Sequence, residues 1–246
     1  MESASPRFSR EVVAFLRALK RHNDREWFRA HKDRYDALLR GPMIALIERV
    51  ATDFRQFAPN LVANPRMSLY RIYRDTRFSE NKAPLKTHIA AVFPCRGLPK
   101  HQGAGLYLEI APEWVWVGGG MYAPETVQLQ AVREHIAANA RELRTIVESP
   151  GFRRAVGRLY GQQLQRVPRG FPEDHAAADY LKFRQFLAGA EFPVSLAWSS
   201  RLYPVVLNVF RRVAPLTRFL NEPLVNGGGP VRQAALTSDR EAAMET

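Results

Sequence analysis

Between Leu106 and Ile110 the residues alternate, so Leu106, Leu108 and Ile110 share one face of an extended segment. At Glu113 a return begins, Trp114-Val115-Trp116-Val117, again with period two. Such a pair reads as an antiparallel hairpin. Its apolar face must be buried, and the helical patterns before and after it are the elements available to cover it.

Before the hairpin, Ser9 can cap a helix running to about His22, with Val12, Val13, Phe15, Leu16 and Leu19 as its apolar face. Asn23 and Asp24 then cap a second helix, in which Trp27, Phe28, His31, Tyr35 and Leu38 recur at spacings of three and four. Gly41-Pro42 stops it and opens a third, Met43 to Phe57. Met67 to Tyr73 and Thr87 to Phe93 read as strands. After the hairpin, Pro124 opens a helical segment from Glu125 to Ser149 with a break near Asn139. Phe152 to Leu159 is a shorter helix, and Ala176 to Lys182 can be helical. Arg184 to Phe192 reads as a last strand, and Arg201 to Leu220 as an amphipathic helix that Pro215 bends or splits.

The fold expected is therefore α+β, with residues 1–223 forming a single domain. Its central, mainly antiparallel sheet is flanked by N- and C-terminal helices rather than woven into βαβ units. Residues 224–246, small and polar after Asn226-Gly-Gly-Gly229-Pro230, read as a disordered tail.

Charge is the unusual part of the composition. The chain of 246 residues carries a net charge of +12, and Arg far outnumbers Lys. That balance favours acidic partners and supplies the fork-shaped cation suited to oxyanions. Cys95 is alone, which excludes an intramolecular disulfide and a cysteine zinc site and points to a reducing, cytoplasmic location. Residues 1–10 have no apolar core and do not read as a signal peptide. The longest apolar stretch, Leu202 to Phe210, is broken by Pro204 and Asn208 and is too short for a bilayer, so no membrane partner is expected.

The charge concentrates in Arg71-Ile-Tyr-Arg74-Asp75-Thr-Arg77-Phe78-Ser-Glu80-Asn81-Lys82-Ala-Pro84-Leu85-Lys86-Thr-His88. Five Lys or Arg and two acids fall in this run, with no helical period. It reads as a strand opening into a basic loop that Pro84 ends. If the chain turns at Arg74-Asp75, three arginines converge. Two cations about 6 Å apart repel by roughly 3 kcal/mol at an effective dielectric near 20. Asp75 and Glu80 offset part of that, and a bound phosphate or carboxylate would offset the rest.

The same residues carry a resemblance. Arg71-x-x-Arg74-Asp75-x-Arg77-Phe78 followed by Asn81-Lys82 resembles the signature of a bacterial family of unknown function, domain of unknown function 2461. Asn23-Asp-Arg-Glu-Trp-Phe28 with Lys32 and Tyr35, Gly118-Gly119-Gly120-Met-Tyr122, and Pro168-Arg-Gly170-Phe171 with Asp174-His175 and Leu181-Lys182 also match. The likeness covers about residues 8 to 222 and implies no particular activity. One departure is Leu85, where members usually carry Tyr after Lys-x-Pro.

Other motifs are less specific. Gly118-Gly-Gly120 reads as a tight turn between strand and helix. As a phosphate loop it lacks Gly-x-Gly-x-x-Gly, a Walker lysine and a βαβ setting, so no cofactor is expected. Trp114 and Trp116 share a strand face and read first as sheet core, second as a stacking surface. No histidine pair has metal spacing, so no metal is expected. There is no Gly-x-Ser-x-Gly, and Cys95 lacks a sequence-evident base.

These observations favour a pocket for an anionic small molecule, a phosphorylated one included. Arg71, Arg74 and Arg77 would be oxyanion ligands, with Asp75 orienting them and Lys82 and Lys86 at the rim. Arg169 and Lys182 are further candidates from the other matching motif, and His88 and His175 are candidate acids or bases. Hydrolysis, group transfer and binding without turnover fit equally well. Two alternatives stand beside this reading. One is a nucleic-acid-binding domain, supported by charge but by no reader motif. The other is a structural or partner-binding domain in which the arginines and Asp75 form an internal network.

Overall fold

The structure is a computed structural model that describes residues 6–77 and 79–226. Its first helix, α1 (Glu11–Arg21), buries Val12, Phe15, Leu16 and Leu19, the stripe expected from their spacing. Ser9 Oγ accepts from Glu11 N at its start. Asp24 Oδ1 accepts from Trp27 N at 2.7 Å and so caps α2 (Arg25–Ala30).

Gly41-Pro42 does not stop the next segment. α3 (Lys32–Tyr35) passes through a π-helical turn at Asp36–Arg40 directly into α4 (Gly41–Phe57). Pro42 falls in the first turn of α4, where its missing N–H leaves no bond unmade.

Residues 67–73 are not a regular strand either. Asn64 caps a short helix, α5 (Pro65–Ser68), which takes up the start of that segment. Residues 69–74 then run extended beside residues 84–91, joined at Leu69–Ala91 and Tyr73–Leu85 through three backbone hydrogen bonds, Tyr70 N to Ala90 O, Arg74 N to Pro84 O and Lys86 N to Ile72 O. The basic run is the tip of this irregular ribbon.

The sheet contains β1 (Ile89–Phe93), β2 (Gly105–Ile110), β3 (Trp114–Met121) and β4 (Phe186–Pro193) in that order, every pair antiparallel. Between β3 and β4 come α6 (Thr126–Ala138), α7 (Ala140–Val147), α8 (Pro150–Val156) and α9 (Ala178–Leu181). Asn139 separates α6 from α7, as expected.

The last helix, α10 (Leu202–Asn226), passes through Pro215 without ending. A proline inside a helix costs about 3 kcal/mol. Val209, Phe210, Val213, Leu216, Phe219 and Leu220 are all buried around it, and each large apolar side chain contributes about 1.5–3 kcal/mol. Burial wins. Helical residues thus reach Asn226, and the rest of the expected tail lies outside the described residues.

Period two sorts the sheet into two faces. Leu106, Leu108, Ile110, Val115, Val117, Phe186 and Ala188 point into the core beneath α10. Tyr107, Glu109, Trp114 and Trp116 are half-buried on the opposite face. The architecture is α+β in one domain. No described helix is long and apolar enough to cross a membrane.

The triple glycine is not a turn. Gly118, Gly119 and Gly120 lie within β3, paired on both sides. Gly118 faces Gly189 across β3 and β4, and the Trp116 indole rests on this pair. A Cβ on Gly189 would lie 2.2 Å from Trp116 Cζ2, and one on Gly118 would lie 2.7 Å from Cη2.

Candidate functional site

The open face of the sheet floors a cleft of about 810 Å³. The cleft is also lined by Tyr70, Lys86 and His88 of the ribbon and by residues of the 94–104 loop between β1 and β2. Both segments deliver a lysine to one aromatic ring. Lys86 Nζ lies 4.5 Å from the Tyr70 ring centroid and Lys100 Nζ lies 4.6 Å from it. His101 stacks on the same ring at 5.8 Å, and Tyr107 meets it edge-on at 6.2 Å.

This end of the cleft is cation-rich. Burial pushes the Lys86 ammonium below its ordinary value, and Arg71 and Lys100 push it further, against a partial pull from Glu109. Burial lowers Lys100 as well. His101 is lowered by burial, then by Lys100 and Lys86. The Tyr70 ring face offsets part of the strain through cation–π attraction, roughly 0.5–2 kcal/mol per contact.

Glu109 lies deeper and is held in place. Its Oε2 accepts from Tyr107 Oη at 2.7 Å and its Oε1 from Trp114 Nε1 at 3.3 Å. His88 Nε2 approaches Oε2 at 3.9 Å. Burial still outweighs this carboxylate, and the His88 imidazole titrates below its ordinary value. Burial and the charge of Glu109 push the Tyr107 phenol far up, so it stays protonated as a donor. Trp116, Tyr122, Tyr160 and Glu191 complete the far end.

Among the residues expected to form a site, Lys86 and His88 line this cleft. Arg71 is exposed but close enough to act on both Lys86 and Asp75. Other members of the basic run serve their own loop. Arg74 donates from Nη1 to Ala83 O at 3.1 Å and from Nη2 to Ser79 Oγ at 3.2 Å. Arg77 forks onto Asp75, Nε to Oδ1 at 3.0 Å and Nη2 to Oδ2 at 2.8 Å. Lys82 Nζ donates to Thr76 O.

The second motif lies apart from the cleft lining. Arg169 is exposed in a loop, Lys182 sits 3.5 Å from Asp179, and His175 Nδ1 accepts from Ala177 N. Among the described residues no three His, Cys, Asp or Glu side chains gather as a metal site would require.

The family model described as a conserved hypothetical protein (DUF2461) matches residues 11–219. The chain belongs to the DUF2461 family. The matched range contains every residue of the cleft. No curated protein and no solved structure matches the chain.

Sequence reasoning missed Lys100 and His101. They lie in a loop without period, and only folding brings them to Tyr70. It placed Trp114 and Trp116 correctly on one face but read that face first as core and only second as a stacking surface. The sheet has one covered face, and the tryptophans are on the other.

A smaller cavity of about 560 Å³ lies among α7, α8 and α9, lined by Arg144, Arg153 and Arg158 with Glu148 and Asp179. Several of its polar groups have partners within the protein: Arg144 Nη2 donates to Ala176 O, Tyr180 Oη donates to Glu148, and Asp179 pairs with Lys182.

Proposed function

We propose that the open cleft binds an anionic small molecule, a phosphate or a carboxylate, at its Lys86–Lys100 end. One observation carries this reading. The chain has only six lysines, and two of them, from separate segments, reach the same half-buried ring. Their ammonium groups are no more than about 9 Å apart and repel by about 2 kcal/mol or more at an effective dielectric near 20. Arg71 adds to the positive field at Lys86. A bound oxyanion relieves that repulsion through charge-assisted bonds.

Concavity supports a small ligand over a polymer. Both lysines are half-buried in a recess rather than spread along a surface. Binding there is only modestly screened by salt, whereas contact with several nucleic-acid phosphates weakens steeply with log salt.

Thermal denaturation with inorganic phosphate and pyrophosphate tests the reading. An anion at a hundredfold excess over its Kd should add about 2.7 kcal/mol to wild-type stability. Lys86→Met and Lys100→Met should each raise the stability of the unliganded protein and lose the anion response. Variants that keep the full response, or a wild type that answers to no anion, would sink the proposal.

A further inference from the structure

Resting on that anion reading, we propose that the far end of the cleft is a stacking platform, and that the ligand is a ring-bearing phosphate or carboxylate with hydrogen-bond donors on the ring rim. The platform is Trp116. Its six-membered ring lies on the facing pair Gly118 and Gly189, where any side chain would collide with it. Glycine inside a strand costs roughly 0.5–1 kcal/mol relative to alanine, so two of them opposite one another weaken the sheet. What they permit is an indole laid flat against the backbone. Side chains at these positions would push the indole off the sheet backbone. As it is, the ring lines an open space and remains half-exposed.

The chemistry around the indole differs from that at the lysine end. Trp116 is flanked in register by Glu109 on β2 and Glu191 on β4. Carboxylates only accept hydrogen bonds, and each has about four acceptor sites. Glu109 has used two of its sites on Tyr107 and Trp114, and Glu191 is exposed. Both can take hydroxyl or amino donors from a ring resting on the indole. Tyr107 links the two ends, 5.7 Å from Trp116 and 6.2 Å from Tyr70. The cleft therefore offers cations at one end and an aromatic face with acceptors at the other. A nucleobase and a sugar ring share the matching chemistry.

Calorimetric titration of the full chain with inorganic phosphate, adenosine monophosphate and glucose phosphate tests this. One of the ring-bearing phosphates should bind at least tenfold tighter than inorganic phosphate, and which one does so identifies the ring. Trp116→Leu should abolish that preference while leaving inorganic phosphate binding unchanged. Gly189→Ala should do the same by unseating the indole, and it serves if Trp116→Leu folds poorly. Equal binding of all three anions would overturn the platform and leave the anion site standing. So would a preference that survives both substitutions, or a loss of inorganic phosphate binding in both. No binding of any anion would remove the anion reading, and this inference with it.

Discussion

Asn221 satisfies both backbone groups of Ala104: its Oδ1 accepts from Ala104 N at 2.7 Å and its Nδ2 donates to Ala104 O at 2.8 Å. The side-chain amide thus acts as the strand neighbour that this peptide lacks. Asn23 does the same for Leu85, with both bonds at 2.9 Å. Each clamp fixes a segment that carries a cleft lysine. Leu85 precedes Lys86, and Ala104 ends the loop bearing Lys100 and His101. Helix α10 and the turn between α1 and α2 are thereby tied to the two segments that bring lysines to the site.

Replacing Asn221 with Ala leaves a buried N–H and a buried carbonyl unpaired. An unsatisfied buried group costs about 1–3 kcal/mol, so Asn221→Ala should lose about 2–4 kcal/mol. The midpoint of urea unfolding should fall with little change in slope. Asn23→Ala is only part-buried and should cost less, roughly 1–2 kcal/mol. A midpoint unchanged in Asn221→Ala would show that the clamp contributes nothing.

Stability should fall as pH drops below about 7. His88 and His101 are both held below their ordinary value of 6.5, chiefly by burial. In the unfolded chain they titrate near that ordinary value. The unfolded state therefore takes up protons first as pH falls, and protonation favours unfolding. The contribution is fully present above the unfolded value and is lost as pH falls through the depressed folded values. Thermal midpoints measured from neutral pH down to pH 5 should show the decline. Substituting both histidines with Gln should flatten it. Saturating phosphate should flatten it too, because an anion at the lysine end favours the charged imidazole of His101.

Much of the fold is legible from local pattern, and the failures have physical causes. The stripe on α1 and the alternation in β2 and β3 are set by the faces these elements bury, so periodicity reveals them. Pro42 misleads because a proline in a first turn is indistinguishable by type from one that ends a helix. The 67–73 segment misleads because Asn64 and Pro65 start a helical turn that propensity alone does not rank above a strand. Within the site, Lys86 and His88 are visible because they belong to the basic run. Lys100 is not, because its partner Tyr70 is close only after the ribbon and the β1–β2 loop fold over the sheet. The Trp116 platform depends on Gly189, which arrives from the far side of four helices. Sequence spacing carries no trace of that pairing.

Gly120 allows a sharper test of the sheet. Its φ of +129° is accessible only to glycine, and a Cβ there would lie 1.9 Å from Phe186 O. Backbone strain of this kind costs roughly 1–3 kcal/mol, and the clash with a paired strand adds to it. Gly120→Ala should lower the unfolding midpoint by more than Asn221→Ala does, or leave the chain insoluble. A midpoint near that of wild type would mean that β4 can move away from β3 at little cost.

The basic loop can be separated from the cleft by titration. Arg77 holds the Asp75 carboxyl at about 2, first by its side-chain hydrogen bonds and then by backbone bonding and charge, with Arg71 assisting. Both side chains are exposed, so the pair should be salt-sensitive and should scarcely affect unfolding. Carbon-detected NMR of Asp75 should give a midpoint near 2 that rises toward the ordinary 3.8 in Arg77→Gln. Because the folded value is depressed, whatever the pair adds is present above 3.8 and is lost as pH falls through about 2. Phosphate bound between Lys86 and Lys100 should leave the Asp75 midpoint unmoved. A phosphate-dependent shift there would move the anion site out of the cleft and onto the loop arginines.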